Sequence, residues 1–304
     1  MTRGTAYHMS NGRIALTVEP DFGARITSLS DIATGRQWLV EGQLEGDKGS
    51  DAIYAAAEAR GWDECFPTVS ICEHPDWCGS MRDHGELWGR PWTVRRTGNR
   101  LYASYKGEFF EFQRTLELRG SAVHAKYRVA NIGATPFKYM WSQHCLLAVD
   151  PGEKLVASDS VSELRSSGGY HLGSPVGPSS VDWPFFLPFD LDLRVVHNCG
   201  AGLALKLYGS AAASTTVGID SANGGIRFSW YGIELSGVGI WLNYGGWPPD
   251  NPVHHVAIEP TTVAVDHLEI ADALGKARKL DPMDAHNWEV RISMVEPEMN
   301  GKNR

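Results

Sequence analysis

The sequence predicts an all-β protein, one large antiparallel β-sandwich carrying one or two short helices. Three observations lead there. Gly98-Asn99, Lys106-Gly107, Arg119-Gly120 and Asn131-Ile132-Gly133 punctuate the middle of the chain with tight-turn residues. The segments between them alternate: Phe110, Phe112, Leu116 and Leu118 share one face, with Glu111, Gln113, Thr115 and Glu117 on the other, and Val123, Ala125, Tyr127 and Val129 oppose His124, Lys126 and Arg128. No repeat of fixed length and no linker between two cores interrupts this pattern, so residues 1–304 read as a single domain.

Taken in order, Ile14, Leu16 and Val18 recur with the period of a half-buried strand, and residues 23–29 supply its partner, closed by a turn at Thr34-Gly35. Residues 51–60 lose that period and read as one short helix, with Asp51 at its start and Arg60 at its end to suit the helix dipole. Residues 137–149 are more continuously apolar and carry His144. The Ser-, Gly- and Pro-rich residues 158–192 read as a long loop of the kind that carries function. Strand-like segments resume at 202–207, 215–219, 226–231, 238–243 and 256–259, with Asn223-Gly224-Gly225 as a hairpin turn, and 288–294 closes the fold.

Composition sets limits on partners. The chain is 42% hydrophobic and 21% charged, enough apolar matter for a sizeable core, and its net charge of -8 without any basic run argues against nucleic acid. No apolar run is long enough to span a bilayer, and the first twelve residues lack the apolar core of a signal peptide, so a cytoplasmic protein without membrane partners is expected. Five cysteines without a Cys-x-x-Cys pair suggest reduced thiols. Cys72, His74 and Cys78 do not have a recurrent zinc spacing, and neither a metal nor a cofactor is expected. A homodimer is compatible with the sequence, which does not fix the oligomeric state.

Chemistry is densest at Arg82-Asp83-His84-Gly85-Glu86-Leu87-Trp88, preceded by Gly61-Trp62-Asp63-Glu64-Cys65-Phe66-Pro67-Thr68. Brought together by the fold, His84, His144 and Glu259 could move protons between two oxygens of a substrate, because imidazole exchanges protons near neutral pH and a carboxylate supplies the complementary base. Of the eleven tryptophans, Trp62, Trp88, Trp92, Trp141, Trp241 and Trp247 lie near these three in sequence. Indole faces pack on the C–H faces of sugar rings, with core packing as the alternative for any one of them.

These motifs, with Phe22-Gly23-Ala24-Arg25 near the start and Trp241-Leu242-Asn243-Tyr244-Gly245-Gly246 followed by Ala257-Ile258-Glu259-Pro260, resemble the aldose 1-epimerase (galactose mutarotase) family in order and approximate spacing over nearly the whole chain. The resemblance implies a galactose mutarotase-like supersandwich that binds a monosaccharide. It implies that Glu259 takes the proton from the C1 hydroxyl, that His144 protonates the ring oxygen, and that His84 binds the sugar near that oxygen. Arg82, Asp83, Glu86, Trp88, Asp63, Glu64, Trp62, Trp241 and Asn243 are the candidate substrate-binding residues.

Asp83-His84-Gly85-Glu86-Leu87-Trp88 departs from the His-Gly-Phe-Ala-Arg seen in many members, which places substrate choice in that stretch. The competing readings are a non-catalytic sugar-binding or regulatory protein, a glycoside hydrolase using Glu64, Glu86 and Glu259, a metal site at His84, Glu86 and His144, and a hexose-phosphate epimerase with Arg25, Arg82 and Arg90 on the phosphate.

Overall fold

Alternating segments joined by tight turns pair with their neighbours in the chain, and the resulting hairpins assemble into two large antiparallel sheets. The computed structural model describes residues 5–42, 44, 54, 59–211 and 215–297. One sheet has twelve strands, and its main path runs Tyr7–Ser10, Ile14–Glu19, Arg25–Asp31, Trp62–Cys65, Ser142–Leu147, His254–Thr261, Gly237–Tyr244, Leu203–Ala211, Val161–His171, Ser174–Val176. The other has eight, in the order Lys154–Ala157, Thr216–Ser221, Gly224–Tyr231, Ala285–Val295, Ala122–Asn131, Phe110–Arg119, Arg100–Lys106, Thr93–Thr97. The sandwich predicted from the alternation is therefore present, and the closing strand sits in the middle of the second sheet.

The main apolar core draws alternate residues from both sheets, such as Leu16, Ile240, Leu242 and Ile258 from the first and Phe112, Val123, Val129 and Ile292 from the second. Each strand of the first sheet that contributes inward apolar residues therefore presents its other residues to the outer face. The second sheet also carries an inward exception: Arg114 lies on the apolar face of its strand, fully buried, and its Nη1 donates to Glu64 Oε1 of the first sheet at 2.7 Å.

Two expectations change. Residues 158–192 are not a long loop but include the eleven-residue strand Val161–His171, paired with Leu203–Ala211. Register shifts between Ser162 and Arg165 and between Ser166 and Gly168 break the period of two, so backbone pairing forms a strand whose sequence shows no alternation. A short helix, Leu268–Ala273, was not foreseen, and it buries Leu268 and Ala271. The helix expected over 51–60 lies largely outside the described residues.

The loop around His84 is docked by backbone. Phe66 and Gly85 form an isolated bridge, and the Glu86 amide donates to the Phe66 carbonyl at 2.5 Å. Gly85 has φ +72°, and a Cβ there would stand 2.1 Å from the Phe66 oxygen. Gly85→Ala should therefore lose about 2–3 kcal/mol from combined backbone strain and overlap. Urea unfolding of the variant measures it, and an unchanged midpoint would mean that the loop is not seated this way.

Candidate active site

Strand register builds the floor of a cavity of about 320 Å³ on the outer face of the first sheet. Asp63 pairs with His144. Ser142 pairs with Thr261 and Cys145 with Ile258, a register that sets His144 beside Glu259. Glu259 pairs with Gly239, and Gly239 with Tyr208. Asp63, His144, Glu259, Gly239 and Tyr208 thus form one row across five strands, with neighbours about 4.8 Å apart. Position 239 is tight for a side chain, since a Cβ would lie 3.0 Å from both Glu259 Oε2 and the Tyr208 ring.

The row is electrically organised from both ends. Arg25 donates to Asp63 Oδ2 at 2.6 Å, and Asp63 Oδ1 faces His144 Nδ1 at 2.9 Å. Burial would raise Asp63, but Arg25, His144 and His84 outweigh it and hold the carboxyl below its ordinary value. An ionised Asp63 can only accept, so Nδ1 of His144 carries the hydrogen and Nε2 is the nitrogen left to the cavity. At the other end, Lys206 Nζ lies 2.5 Å from Glu259 Oε2, and Ser142 Oγ lies 3.5 Å from the same atom. Burial would raise Glu259 too, but Lys206, His144 and His84 outweigh it and keep the carboxyl below its ordinary value. Glu259 is fully buried, and its Oε1 has no hydrogen-bond partner among the described residues.

His84 reaches the row from above, on the 82–88 loop, with its ring 4.8 Å from that of His144. It adopts φ +59°, its Nδ1 lies 3.1 Å from Asp83 Oδ2, and its amide donates to the Val69 carbonyl at 2.7 Å. Tyr54 is a site residue that sequence reasoning missed. Its ring stacks on His84 with centroids 3.7 Å apart, and its hydroxyl lies 3.0 Å from His144 Nδ1. An aromatic residue among alanines, Tyr54-Ala55-Ala56-Ala57, was the available signal. Lys206, His255 and Asp266 also line the cavity and were likewise not singled out as candidates for it.

The remaining sequence candidates divide by face. Trp241 lines the cavity, as does Asp83. Asp63 stands behind His144 rather than in the lining. Trp62 and Glu64 alternate with Asp63 and Cys65, so they point into the sandwich. There Glu64 accepts from Arg114, Tyr127 and Trp141, and burial pushes it up to about 7 against the pull of Arg114. Arg82 donates to the carbonyls of Gly85 and Trp88, its guanidinium lies 4.6 Å from the Trp88 ring centre, and Trp88 Nε1 donates to the Asp83 carbonyl. Glu86 pairs with Arg90. Asn243 bridges the turn after its strand, donating to the Trp247 carbonyl and accepting from the Gly246 amide. Of the other tryptophans considered, Trp92 and Trp141 are core residues, while Trp247 lines the cavity.

Cys65, His84 and His144 offer atoms that all lie within 4.8 Å of one another, residue types that could hold zinc. A metal would need the thiolate, whereas burial, with Asp63 and Glu259 adding to it, raises Cys65 well above its ordinary value. His74 is committed elsewhere, to Asp272 at 3.2 Å, and Cys78 is exposed.

No family model matches this chain, and no curated protein matches its sequence. Solved structures do match in fold. A galactose mutarotase related enzyme from Lactobacillus acidophilus is 16% identical, with 97% of this chain and 99% of that one covered and a TM-score of 0.68. A galactose mutarotase-like protein from Clostridium acetobutylicum is 13% identical, with 95% and 94% covered and a TM-score of 0.65. Another, from Lactobacillus casei ATCC 334, is 12% identical, with 95% and 100% covered and a TM-score of 0.63. With two antiparallel sheets in one sandwich and full-length agreement of this kind, the chain has the galactose mutarotase-like fold.

Proposed function

We propose that the protein is a mutarotase, interconverting the anomers of a monosaccharide by acid/base ring opening. The observation that carries this reading is the pairing of a buried carboxylate oxygen, Glu259 Oε1, with the cavity-facing nitrogen of an Asp-held histidine, His144, on adjacent strands of one small cavity. With His144 as the imidazolium, its Nδ1–H held by Asp63, Glu259 Oε1 takes the proton from the C1 hydroxyl while His144 Nε2 gives its own to the ring oxygen and is left a neutral Nδ1–H imidazole. The C1–O5 bond breaks, its electrons go to O5, and C1 becomes an aldehyde. Rotation about C1–C2 and the reverse transfers close the ring as the other anomer.

Lys206 shapes the timing. It keeps Glu259 ionised although the carboxyl is buried, and in doing so makes it a weaker base than a free carboxylate. Deprotonation of a C1 hydroxyl by such a base is unfavourable alone, so it must proceed together with protonation of O5 by His144. His84, beside His144 and tied to Asp83, is placed to hold the sugar near that oxygen. The cavity volume, near the lower end of ordinary ligand sites at about 300–1,000 Å³, suits one sugar ring.

Saturation-transfer NMR across a panel of free hexoses tests the reading. Glu259→Gln should lower the exchange rate by about 10²–10⁴-fold. Asp63→Asn, which removes the group fixing the His144 tautomer, should lower it about 10–100-fold. If wild type exchanges no sugar above the buffer background, or Glu259→Gln is as fast as wild type, the reading is wrong. Activity should survive EDTA.

A pH dependence of stability follows from the same charges. Glu259 and Asp63 titrate below their ordinary values when folded, so as pH falls through about 4 the unfolded chain takes up protons first. The stability each contributes is complete above that range and is lost as pH falls through the folded value. Thermal unfolding should show wild type well above Glu259→Gln at pH 7 and the two converging as pH drops toward 3. A gap that stays constant would overturn the assignment of an ionised Glu259.

A further inference from the structure

His255 lies on the same strand as Glu259, four residues earlier and on the same face, so its Cα is about 13 Å from that of Glu259. Of the adjacent His254 and His255, only His255 shares the face of Glu259. His254 Nε2 is used by the His197 carbonyl at 2.7 Å, whereas His255 is 1% exposed, lines the cavity, and has no hydrogen-bond partner on either ring nitrogen among the described residues. A buried imidazole left unpaired on both sides is costly unless something arrives to satisfy it.

The floor between His255 and the catalytic row is apolar. Trp241 pairs with Ala257, Leu146 pairs with Ala257 from the other side, and Trp247 packs on the same cluster. The cavity therefore reads, along one strand, as a proton-transfer row, an apolar floor, and a polar terminus. A pyranose has that profile: reactive oxygens at C1, C–H bonds across the ring face, and hydroxyls at the far edge.

We propose that His255 is the specificity-determining residue of this site, exchanging a hydrogen bond with a sugar hydroxyl on the side of the ring remote from C1. This rests on the mutarotase reading of the catalytic row. Burial, with His144 and His254 adding to it, takes His255 down to about 3, so at neutral pH the ring offers one donor and one acceptor, the complement of a hydroxyl. A phosphate at that end is disfavoured. The uncharged His255 ring offers a phosphate no positive charge, and Lys206, which lines the cavity, is already paired with Glu259. The arginines that sequence offered as a phosphate clamp are engaged elsewhere, Arg25 with Asp63, Arg82 with loop carbonyls and Arg90 with Glu86.

The test compares wild type, His255→Gln and His255→Phe for anomer exchange by NMR and for binding by calorimetry, using free hexoses, their 4-deoxy and 6-deoxy analogues, and their 6-phosphates. For the preferred free hexose, His255→Phe should raise KM and Kd about tenfold or more, the loss of one buried hydrogen bond, with kcat within about threefold. His255→Gln, which keeps a donor and an acceptor, should stay within about threefold of wild type in KM. One deoxy analogue should bind wild type and His255→Phe equally, because the hydroxyl that His255 meets is already gone.

The proposal is overturned if His255→Phe leaves KM and Kd unchanged, if kcat alone collapses, or if a 6-phosphate is preferred. Should His255→Phe fail to fold, His255→Leu and the deoxy series on wild type carry the same comparison. If wild type binds an uncharged sugar through His255 but does not exchange its anomers, the mutarotase reading fails and this inference stands. If it binds no uncharged sugar, this inference fails.

Discussion

Register across five strands is the constraint on which the site depends. Asp63, His144 and Glu259 come from segments separated by dozens of residues, yet backbone pairing alone sets them side by side. Because side chains alternate faces, a slip of one residue in the Ser142–Leu147 strand would turn His144 into the sandwich and bring Gln143 or Cys145 out. The large core between the sheets holds that register, so the geometry of the row is a by-product of apolar packing on the opposite face. This explains how a site can be organised by residues that never touch it.

Burying five charged or ionisable groups on one face would be untenable without pairing. Two separate ion pairs solve it: Arg25 with Asp63 behind His144, and Lys206 with Glu259. Such pairs contribute little net stability, since desolvation offsets most of their attraction. What they secure is ionisation state. Glu64 shows the contrast, because it is one residue from Asp63 and also paired with an arginine, yet it is pushed up to about 7. It faces the closed interior between the sheets, where the same kind of partner does not overcome burial.

Much of this was legible in sequence where the physics is local. Alternation and turn residues specified the hairpins of residues 93–131 almost strand by strand, and His84, His144 and Glu259, picked out with the help of the family resemblance, are brought together by the fold. What was not legible depends on which face a residue takes and on what lies across the sheet. Trp62 and Glu64 look like site residues because they flank Asp63, but alternation sends them inward. Arg82, Glu86 and Trp88 look like ligands because they are polar or aromatic, yet they are consumed in holding the loop that presents His84. Lys206 sits in an otherwise ordinary strand, and nothing within its own segment reveals that Glu259 lies across two strand boundaries.

The outcome shifts the source of selectivity away from the densest stretch of the sequence. Arg82 is engaged with loop carbonyls, Glu86 with Arg90 and Asp83 with His84, so the loop chiefly presents one imidazole. The floor of the cavity, by contrast, holds the Oε1 of Glu259 and the ring of His255, both without a hydrogen-bond partner among the described residues. Unspent hydrogen-bonding capacity in a buried place has a cost, and a fold that retains it at both ends of an apolar patch is shaped for a ligand with polar groups at the matching separation. On the proposed reading, catalysis at one end and recognition at the other act through one strand, His254–Thr261, whose pairing on both sides fixes their spacing. A ligand too short to reach His255 would leave the imidazole unpaired, and one bearing an anion there would meet an uncharged ring with Lys206 already paired to Glu259, so the spacing and the charge select together.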